Sequence, residues 1–385
     1  VGIRGVVIME VDVFVPKGPV RFLTPQWREM FRHALREATR LGITIDMNND
    51  GGWCGSGGPW ITPELSMQIV VSSETRAVGP RRFSGALPQP NATSGFYRDI
   101  AVVAFPAPPA DSPRMDDAGA KLTRDGNVLT IEFPRPFSAP SVTIALDRFR
   151  AAATGTLAVS DDSAAFRGVR GFNVSWPASS VSFDRVAARW FRLTFAKPVP
   201  PAPEDIPLGA VELHRDAHIE DIPGKAAYIN QASLSSGMSG APIPHDTIID
   251  LTQLMDAGGR LNWNVPAGNW TVLRFGHTTT GKMNHPAPAE GLGLECDKLS
   301  KRAVDVHFDA LMGKLLDDQS AVGSTALAYA HIDSWETGSQ NWTPGFREQF
   351  RARRGYDLIP YLPVFTGRAV GSAEISERFL WDLRR

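Results

Sequence analysis

The stretch "IRGVVIMEVDVFV" at residues 3–15 decides the fold, because it is almost continuously apolar. A strand that is buried on both faces of a parallel sheet has this composition. The segment at 23–42, "LTPQWREMFRHALREATRLG", follows with apolar residues at helical spacing. At 43–50, "ITIDMNND" is a second buried strand that ends in polar residues. Strand, helix and strand form a βαβ unit, and this crossover predicts a parallel sheet.

The residues at the ends of the predicted helices support this interpretation. Thr24 is suited to the N-cap of the first helix, Pro25 to its first position and Gly42 to its C-cap. A second Thr-Pro pair begins at Thr343 and predicts another helix, which ends at Gly355.

The same order of elements returns after residue 270. A predicted strand at 270–281 is followed by a helix at 299–316 and by a strand at 326–336. Polar residues collect where the strands end, which is the layout of an α/β fold of the (β/α)8 TIM-barrel type with its active site at that face. Only about four or five barrel strands can be counted, whereas a closed barrel needs eight. The barrel is therefore predicted to be incomplete in this chain, unless some strands are not recognised.

The middle of the chain has a different pattern of apolar and polar residues. Short alternating runs such as "NVLTIEFP" (127–134) and "ARWFRLTF" (188–195) predict an inserted antiparallel β-sandwich. Its sequence resembles discoidin-like jelly rolls, so carbohydrate binding and a structural spacer are both open. The predicted organisation is a first part of the barrel at 1–106, the sandwich at 107–215, a β-rich connection at 216–270 and a second part of the barrel at 271–385.

Composition excludes several classes of partner. The 385 residues carry a net charge of −1, which gives no electrostatic case for nucleic acid or an anionic membrane. No apolar stretch approaches the roughly 20 residues that span a bilayer. The chain starts in a strand rather than a signal peptide, and we expect it to be an internal piece of a longer protein. Cys54 and Cys296 could pair once but form no disulfide framework.

Two acids and a tryptophan follow the strand at 326–332. Asp333, Trp335 and Glu336 should lie at its exposed end, because a buried strand does not tolerate two unpaired carboxylates. An ordinary polar loop or a helix cap is the alternative. Hydrolysis of a glycoside usually needs a pair of carboxyl groups, one protonated and one ionised.

A glycine-rich segment follows the strand at 43–50. It contains five glycines within residues 51–58, together with Asp50, Trp53 and Trp60. The glycines allow close approach of a ligand, and the indoles offer faces for stacking on a sugar, although core packing is an equal alternative for each tryptophan. The segment matches neither a dinucleotide fingerprint nor a P-loop.

A third polar loop lies at residues 277–300. Its side chains include His277, Asn284, Glu295 and Asp297. Their oxygens could bind calcium or the hydroxyls of a sugar. The alternative is that Asp297 merely helps to cap the next helix, a role that Ser300 is expected to have.

Three stretches together resemble one family. "GGWCGSGGPWITPELSMQ" (51–68), "GLGLECDKLSKRAVDVHF" (291–308) and "HIDSWETGSQNWTPGFREQFRARRGYDLIPYLP" (331–363) are similar to glycoside hydrolase family 106, the α-L-rhamnosidases. The resemblance implies a catalytic barrel within a larger periplasmic or secreted enzyme. It also implies calcium dependence and hydrolysis with inversion of rhamnose-containing glycosides, oligosaccharides or polysaccharides.

The resemblance also assigns roles to residues. Glu336 would be the general acid, and Asp333 would orient it or contact the substrate. The partner carboxylate is expected beyond residue 385. Calcium ligands are unknown, with Glu295 and Asp297 as candidates. The predicted substrate-binding residues are Asp50, Trp53, Trp60, His277, Asn284, Glu295, Asp297 and Trp335.

Two other functions stay open at this point. A different glycoside hydrolase could use the same scaffold, because a fold does not fix the chemistry. A non-catalytic carbohydrate-binding protein could keep the aromatic residues without hydrolysis. The surroundings of Glu336 separate this last function from the first two.

Overall fold

The computed structural model describes residues 2–13, 16–107, 115–116, 118–148, 151–176, 178–196, 206–215, 218–229 and 241–385. The chain divides into two compact units. Unit 1 contains Val1–Val71, Asn91–Asp99 and Gly276–Phe346, and unit 2 contains Ser72–Pro90, Ile100–Phe275 and Arg347–Arg385.

Strands and helices alternate in unit 1, whereas strands dominate unit 2. The strands are β1 (Gly5–Glu10), β2 (Thr44–Gly51), β3 (Gln68–Ala86), β4 (Arg98–Pro106), β5 (Lys121–Asp125), β6 (Val128–Leu146), β7 (Ala152–Ser160), β8 (Arg167–Ser175), β9 (Ala178–Phe195), β10 (Leu208–His214), β11 (Ile249–Asp250), β12 (Arg260–Thr279) and β13 (Leu327–His331). The helices are α1 (Pro25–Leu41), α2 (Ile222–Lys225), α3 (Lys301–Phe308), α4 (Lys314–Ala321), α5 (Phe346–Arg354) and α6 (Ala373–Arg384), with a π-helical turn between α3 and α4.

Unit 1 is built on a parallel sheet in the order β1-β2-β13. Helix α1 connects β1 to β2, so the predicted βαβ unit is confirmed. The apolar side chains of α1, β2 and α4 form one core, and its burial stabilises the unit through the hydrophobic effect. The members of this core include Phe31, Leu35, Ile45, Met47, Leu315 and Leu327.

The predicted ends of α1 are also confirmed. The Thr24 hydroxyl accepts a hydrogen bond from the Trp27 backbone N–H at 3.3 Å, and Pro25 occupies the first helical position. Gly42 ends the helix with φ of 67°, a left-handed conformation that glycine adopts without strain. Ser300 likewise caps α3 by accepting from the Ala303 N–H.

The prediction that β1 is buried on both faces is wrong, and β13, which the sequence also predicts to be buried, is largely exposed. Val7 is 51% exposed in β1, and Tyr329 is 64% exposed in β13. An apolar run makes a strand suitable for burial. Each face of the strand is buried only where another element of the fold packs against it. Within the residues that the structure describes, unit 1 contains a three-stranded parallel sheet rather than a closed barrel.

Unit 2 contains the antiparallel sheet that the middle of the chain predicts. Its order is β10-β6-β9-β7-β8, and β5 pairs with β6. Register shifts interrupt the pairing of the long strands β6 and β9, and such bulges bend a sheet. The apolar side chains of these strands form one core that includes Phe133, Phe137, Phe191 and Leu193.

Unit 2 also holds the larger part of a four-stranded sheet in the order β11-β4-β12-β3. Trp263 and Trp270 lie in its core and meet edge to face at 5.4 Å, so these two tryptophans serve packing. Residues 216–270, predicted as a β-rich connection, contain α2 as well as β11 and the start of β12. Among the described helices, none is long and apolar enough to cross a membrane.

Candidate functional site

Three loops that lie far apart in the sequence meet in unit 1. The loop after β2 pairs with the loop after β12 through the bridges of Gly58 with Leu294 and of Ser66 with Cys296. The loop after β13 joins the first of them, because the Ser334 N–H and hydroxyl both donate to the Trp53 carbonyl, at 3.1 and 3.0 Å. All three follow the carboxyl ends of strands, where the sequence predicts the functional residues.

The glycines of these loops allow the backbones to touch. Gly57 and Gly58 have φ of 113° and 144°, which side chains rarely permit. A Cβ atom on Gly293 would lie 2.0 Å from the carbonyl carbon of Gly58. The glycine-rich segment is therefore explained by the close packing of two loops.

We expect Gly293→Ala to lower the free energy of unfolding by about 3 kcal/mol, because the new methyl overlaps backbone that cannot move aside. Gly18→Ala is the matched control, since a Cβ atom there meets nothing within 4 Å. Urea unfolding of both variants measures the difference. Equal midpoints for the two variants would show that the loops separate without cost.

A pair of buried carboxyl groups lies behind the loops. Asp50 Oδ1 accepts from Asn48 Nδ2 at 2.8 Å and from the Gly55 N–H at 3.2 Å. Glu295 Oε1 accepts from the Ser56 hydroxyl and from Lys298 Nζ. The second oxygen of each carboxyl is buried and meets no donor among the described residues.

Burial, and secondarily the negative charge of Glu295, raise the pKa of Asp50 to about 7. Both effects disfavour the ionised form of a carboxyl group. Near neutral pH, Asp50 is therefore protonated in a large fraction of molecules. Protonation of Asp50 removes a buried negative charge, whose desolvation is costly.

Asp297 anchors the loop that carries the exposed acids. Its Oδ1 accepts from Gln340 Nε2 at 2.6 Å and from the Leu299 N–H at 3.0 Å, and its Oδ2 accepts from the Thr343 hydroxyl at 2.7 Å. Desolvation raises the pKa of Asp297. Thr343 was predicted to cap the next helix, which is wrong: its hydroxyl donates to Asp297, and α5 begins only at Phe346.

Asn284 and His277 are also committed to contacts within unit 1. Asn284 Nδ2 donates to the carbonyls of Gly51 and Gly291 at 2.7 and 3.0 Å, and its Oδ1 accepts from the Gly293 N–H. His277 Nδ1 donates to the Gln68 side-chain oxygen at 3.2 Å, and burial lowers its pKa to about 4. Both contacts favour a supporting role, and substrate binding by these residues stays a prediction.

Trp60 is held by a buried histidine. Its indole N–H donates to His307 Nδ1 at 3.0 Å, and His307 Nε2 donates to the Asn49 carbonyl at 2.6 Å. Because an indole can only donate and a carbonyl can only accept, these contacts fix the neutral tautomer of His307. Burial lowers the His307 pKa to about 4. The Trp60 side chain is half-buried between two apolar clusters, and its stacking on a sugar stays a prediction.

Asp333, Trp335 and Glu336 are exposed, unlike the buried polar residues behind them. Asp333 Oδ1 lies 3.6 Å from His331 Nε2, and Asp333 Oδ2 accepts from the Ser334 hydroxyl at 3.2 Å. Trp335 is 48% exposed, and its indole N–H donates to the Gly338 carbonyl at 2.8 Å. The carboxyl groups of Asp333 and Glu336 are therefore accessible to a substrate.

Cys54 and Cys296 are both buried, and they are unpaired. Desolvation raises the pKa of the Cys54 thiol to about 11 and that of the Cys296 thiol to about 12. The single disulfide that the sequence left open is therefore not formed.

Sequence reasoning missed several of the side chains that hold the loops together. Lys298 could have been found, because it follows Glu295 at the spacing of an ion pair. Ser56, Gln68, Gln340 and His307 carry no local signal, because their partners lie on other loops.

A family model and a solved structure both relate this chain to rhamnosidases. The family model for glycoside hydrolase family 106, described as alpha-L-rhamnosidase, matches residues 1–385. The structure of a rhamnosidase from Novosphingobium sp. PP1Y is similar with a TM-score of 0.85 and 32% sequence identity, over 99% of this chain and 40% of that chain.

A protein of Formosa agariphila, named "Putative beta-glucuronidase", is 33% identical over 385 residues. These residues are 100% of this chain and 24% of that protein, so the chain spans less than half the length of both relatives. The match of the family model over the whole chain shows that the chain belongs to glycoside hydrolase family 106.

Proposed function

We propose that the protein is an α-L-rhamnosidase in which Glu336 is the general acid. The observation that carries this proposal is the exposed position of Glu336 and Asp333 just beyond the carboxyl end of β13, in front of a buried polar network. A carboxyl group that protonates a glycosidic oxygen must be reachable by the substrate. Asp333 stands three residues before Glu336 and contacts the substrate or orients the acid.

We further propose inversion at the anomeric carbon, within a TIM-type barrel to which the sheet of unit 1 contributes. An inverting pair of carboxyl groups stands about 6.5–9.5 Å apart, with room for the attacking water. Glu295 is poorly suited to be the base, because it is fully buried and already accepts from Ser56 and Lys298. We therefore expect a residue other than Glu295 to be the general base.

Calcium dependence is proposed on the family resemblance alone. Calcium takes six to eight oxygen ligands, yet the Asp297 oxygens accept from Gln340, Leu299 and Thr343. Glu295 Oε1 accepts from Lys298, a cation that competes with a metal ion. No group of three histidine, cysteine or acidic residues suited to a metal occurs in the described part of the chain. Protein donors therefore occupy three of the four carboxylate oxygens of Glu295 and Asp297, and only Glu295 Oε2 has no donor among the described residues.

We propose terminal α-L-rhamnose on a glycoside, oligosaccharide or polysaccharide as the substrate, and a periplasmic or secreted location. The test is release of p-nitrophenol from p-nitrophenyl α-L-rhamnoside by this chain and by a version extended at its carboxyl end. Each is assayed with calcium and with a chelator. Rhamnoside cleavage by either form supports the function, and loss with the chelator supports the calcium requirement.

A β-glucuronidase is the second candidate, favoured by the name of the Formosa agariphila relative. The two activities differ in that a glucuronide carries a carboxylate, which favours a cationic partner in the site. The same assay with p-nitrophenyl β-D-glucuronide separates them. Binding of either sugar without cleavage in both forms would instead indicate a carbohydrate-binding protein.

A further inference from the structure

Lys298 links the buried carboxyl pair to the exposed tryptophan beside the proposed acid. Its ammonium group donates to Glu295 Oε1 and lies 4.6 Å from the centroid of the Trp335 ring. The Lys298 side chain is 15% exposed, whereas the Glu295 side chain is completely buried. The ammonium therefore rests between a fixed anion and one face of an indole.

The backbone around Lys298 is fixed as well. The Leu299 N–H donates to Asp297 Oδ1 at 3.0 Å, and the Ser300 N–H donates to the Asp297 carbonyl at 3.1 Å. Asp297 is itself buried. The lysine stem thus leaves a rigid turn, and its head is fixed by Glu295, which limits the positions that the ammonium can take.

The orientation of the Trp335 ring follows from these contacts. One edge is tied by the hydrogen bond from its N–H to the Gly338 carbonyl, and one face is occupied by the ammonium of Lys298. A cation over an aromatic face is attracted by the ring quadrupole. Since the residue is 48% exposed, part of the ring surface is accessible to a ligand.

We propose that Lys298 is a positioning residue that fixes the Trp335 indole as a one-sided stacking platform for the sugar beside Glu336. This inference rests on the proposed function for the identity of the sugar. The fixed orientation of the Trp335 ring is inferred from the contacts among Glu295, Lys298 and Trp335, and does not depend on which sugar binds. The C–H face of a hexose ring would then pack on the face opposite the ammonium, with its glycosidic bond toward the acid.

The first test is spectroscopic and needs no substrate. The emission of Trp335 is isolated as the difference between the chain and its Trp335→Phe variant, in the presence and absence of acrylamide. Lys298→Met keeps the apolar stem and removes the charge, so we expect a shifted Trp335 emission and stronger quenching. Lys298→Arg should preserve the emission, because a guanidinium also stacks on an aromatic ring and pairs with a carboxylate.

The matched control is Lys282→Met, an exposed lysine in the same loop. If Lys298→Met unfolds the loop by leaving Glu295 unpaired, the double variant with Glu295→Gln removes that charge and the comparison is repeated in it. An unchanged Trp335 difference spectrum in Lys298→Met, or the same change in Lys282→Met, would overturn the proposal.

The second test measures L-rhamnose binding by titration calorimetry. We expect Lys298→Met to weaken the affinity about tenfold and Lys298→Arg to change it little, given the usual strength of a cation–π contact. Affinity unchanged in Lys298→Met would contradict the platform role. If neither this chain nor the version extended at its carboxyl end binds rhamnose, the proposed function is at fault, and the spectroscopic test still decides whether Lys298 fixes Trp335.

Discussion

Replacing Glu336 by glutamine is expected to lower the rate of rhamnoside hydrolysis by about 10²–10⁴-fold, the usual contribution of a general acid. Glutamine keeps the size and the hydrogen-bonding capacity of the side chain but cannot give a proton to the leaving oxygen. The loss should be larger for an alkyl rhamnoside than for the p-nitrophenyl compound, because p-nitrophenolate leaves with little help from an acid. Steady-state rates on both substrates, with the form of the chain that is active, measure this difference.

Glu64→Gln is the matched control for this experiment. Glu64 is also an exposed glutamate of unit 1, with a side chain 51% accessible and its Oε1 3.8 Å from Arg302 Nη1. We expect the control to keep the rate of the unsubstituted protein. An equal loss of rate on both substrates in Glu336→Gln would indicate that Glu336 contacts the substrate but is not the general acid. An unchanged rate would show that Glu336 is not part of the site.

Replacing Asp50 by asparagine is expected to remove a pH dependence of stability. In the folded chain the pKa of Asp50 is raised from 3.8 to about 7 by burial and by Glu295. The folded state therefore binds a proton that the unfolded state has already lost between about pH 4 and pH 7. The contribution of Asp50 to the free energy of unfolding falls as the pH rises through this window, by up to roughly 4 kcal/mol.

The measurement is urea unfolding of both proteins from pH 4 to pH 8. Asparagine keeps an oxygen for Asn48 and Gly55 and cannot ionise, so it should be the more stable protein at pH 8. His277 and His307, whose pKa values are lowered to about 4, destabilise the fold as the pH falls below about 6.5. Because they are present in both proteins, the difference curve isolates Asp50. A flat difference curve would mean that Asp50 is ionised in the fold without cost.

Local structure was predictable because its causes are local. Thr24, Pro25 and Gly42 determine the ends of α1 through contacts and backbone angles within one turn. The alternation of apolar residues likewise identified strands such as β9. The burial of β1 and β13 was not predictable, because it depends on which elements cover each face of the sheet, and a strand's own composition does not specify them.

The candidate site was only partly predictable for the same reason. The three polar loops were found because glycine, carboxylates and aromatic residues cluster at strand ends. The separate roles of the acids in these loops were not predictable. In sequence, Asp50, Glu295 and Asp297 cannot be distinguished from Asp333 and Glu336. Only the folded chain shows that the first group is buried behind the loops and that the second group is exposed.

The reactivity of the two unpaired cysteines reports on local unfolding of the chain. The thiolate is the nucleophile that attacks a thiol reagent, and both Cys54 and Cys296 are completely buried with strongly raised pKa values. Labelling with a chromogenic disulfide therefore follows opening of the two loops on which these residues lie. A cysteine introduced at the exposed position of Lys282 would react selectively with a fluorescent maleimide, without removal of either native thiol.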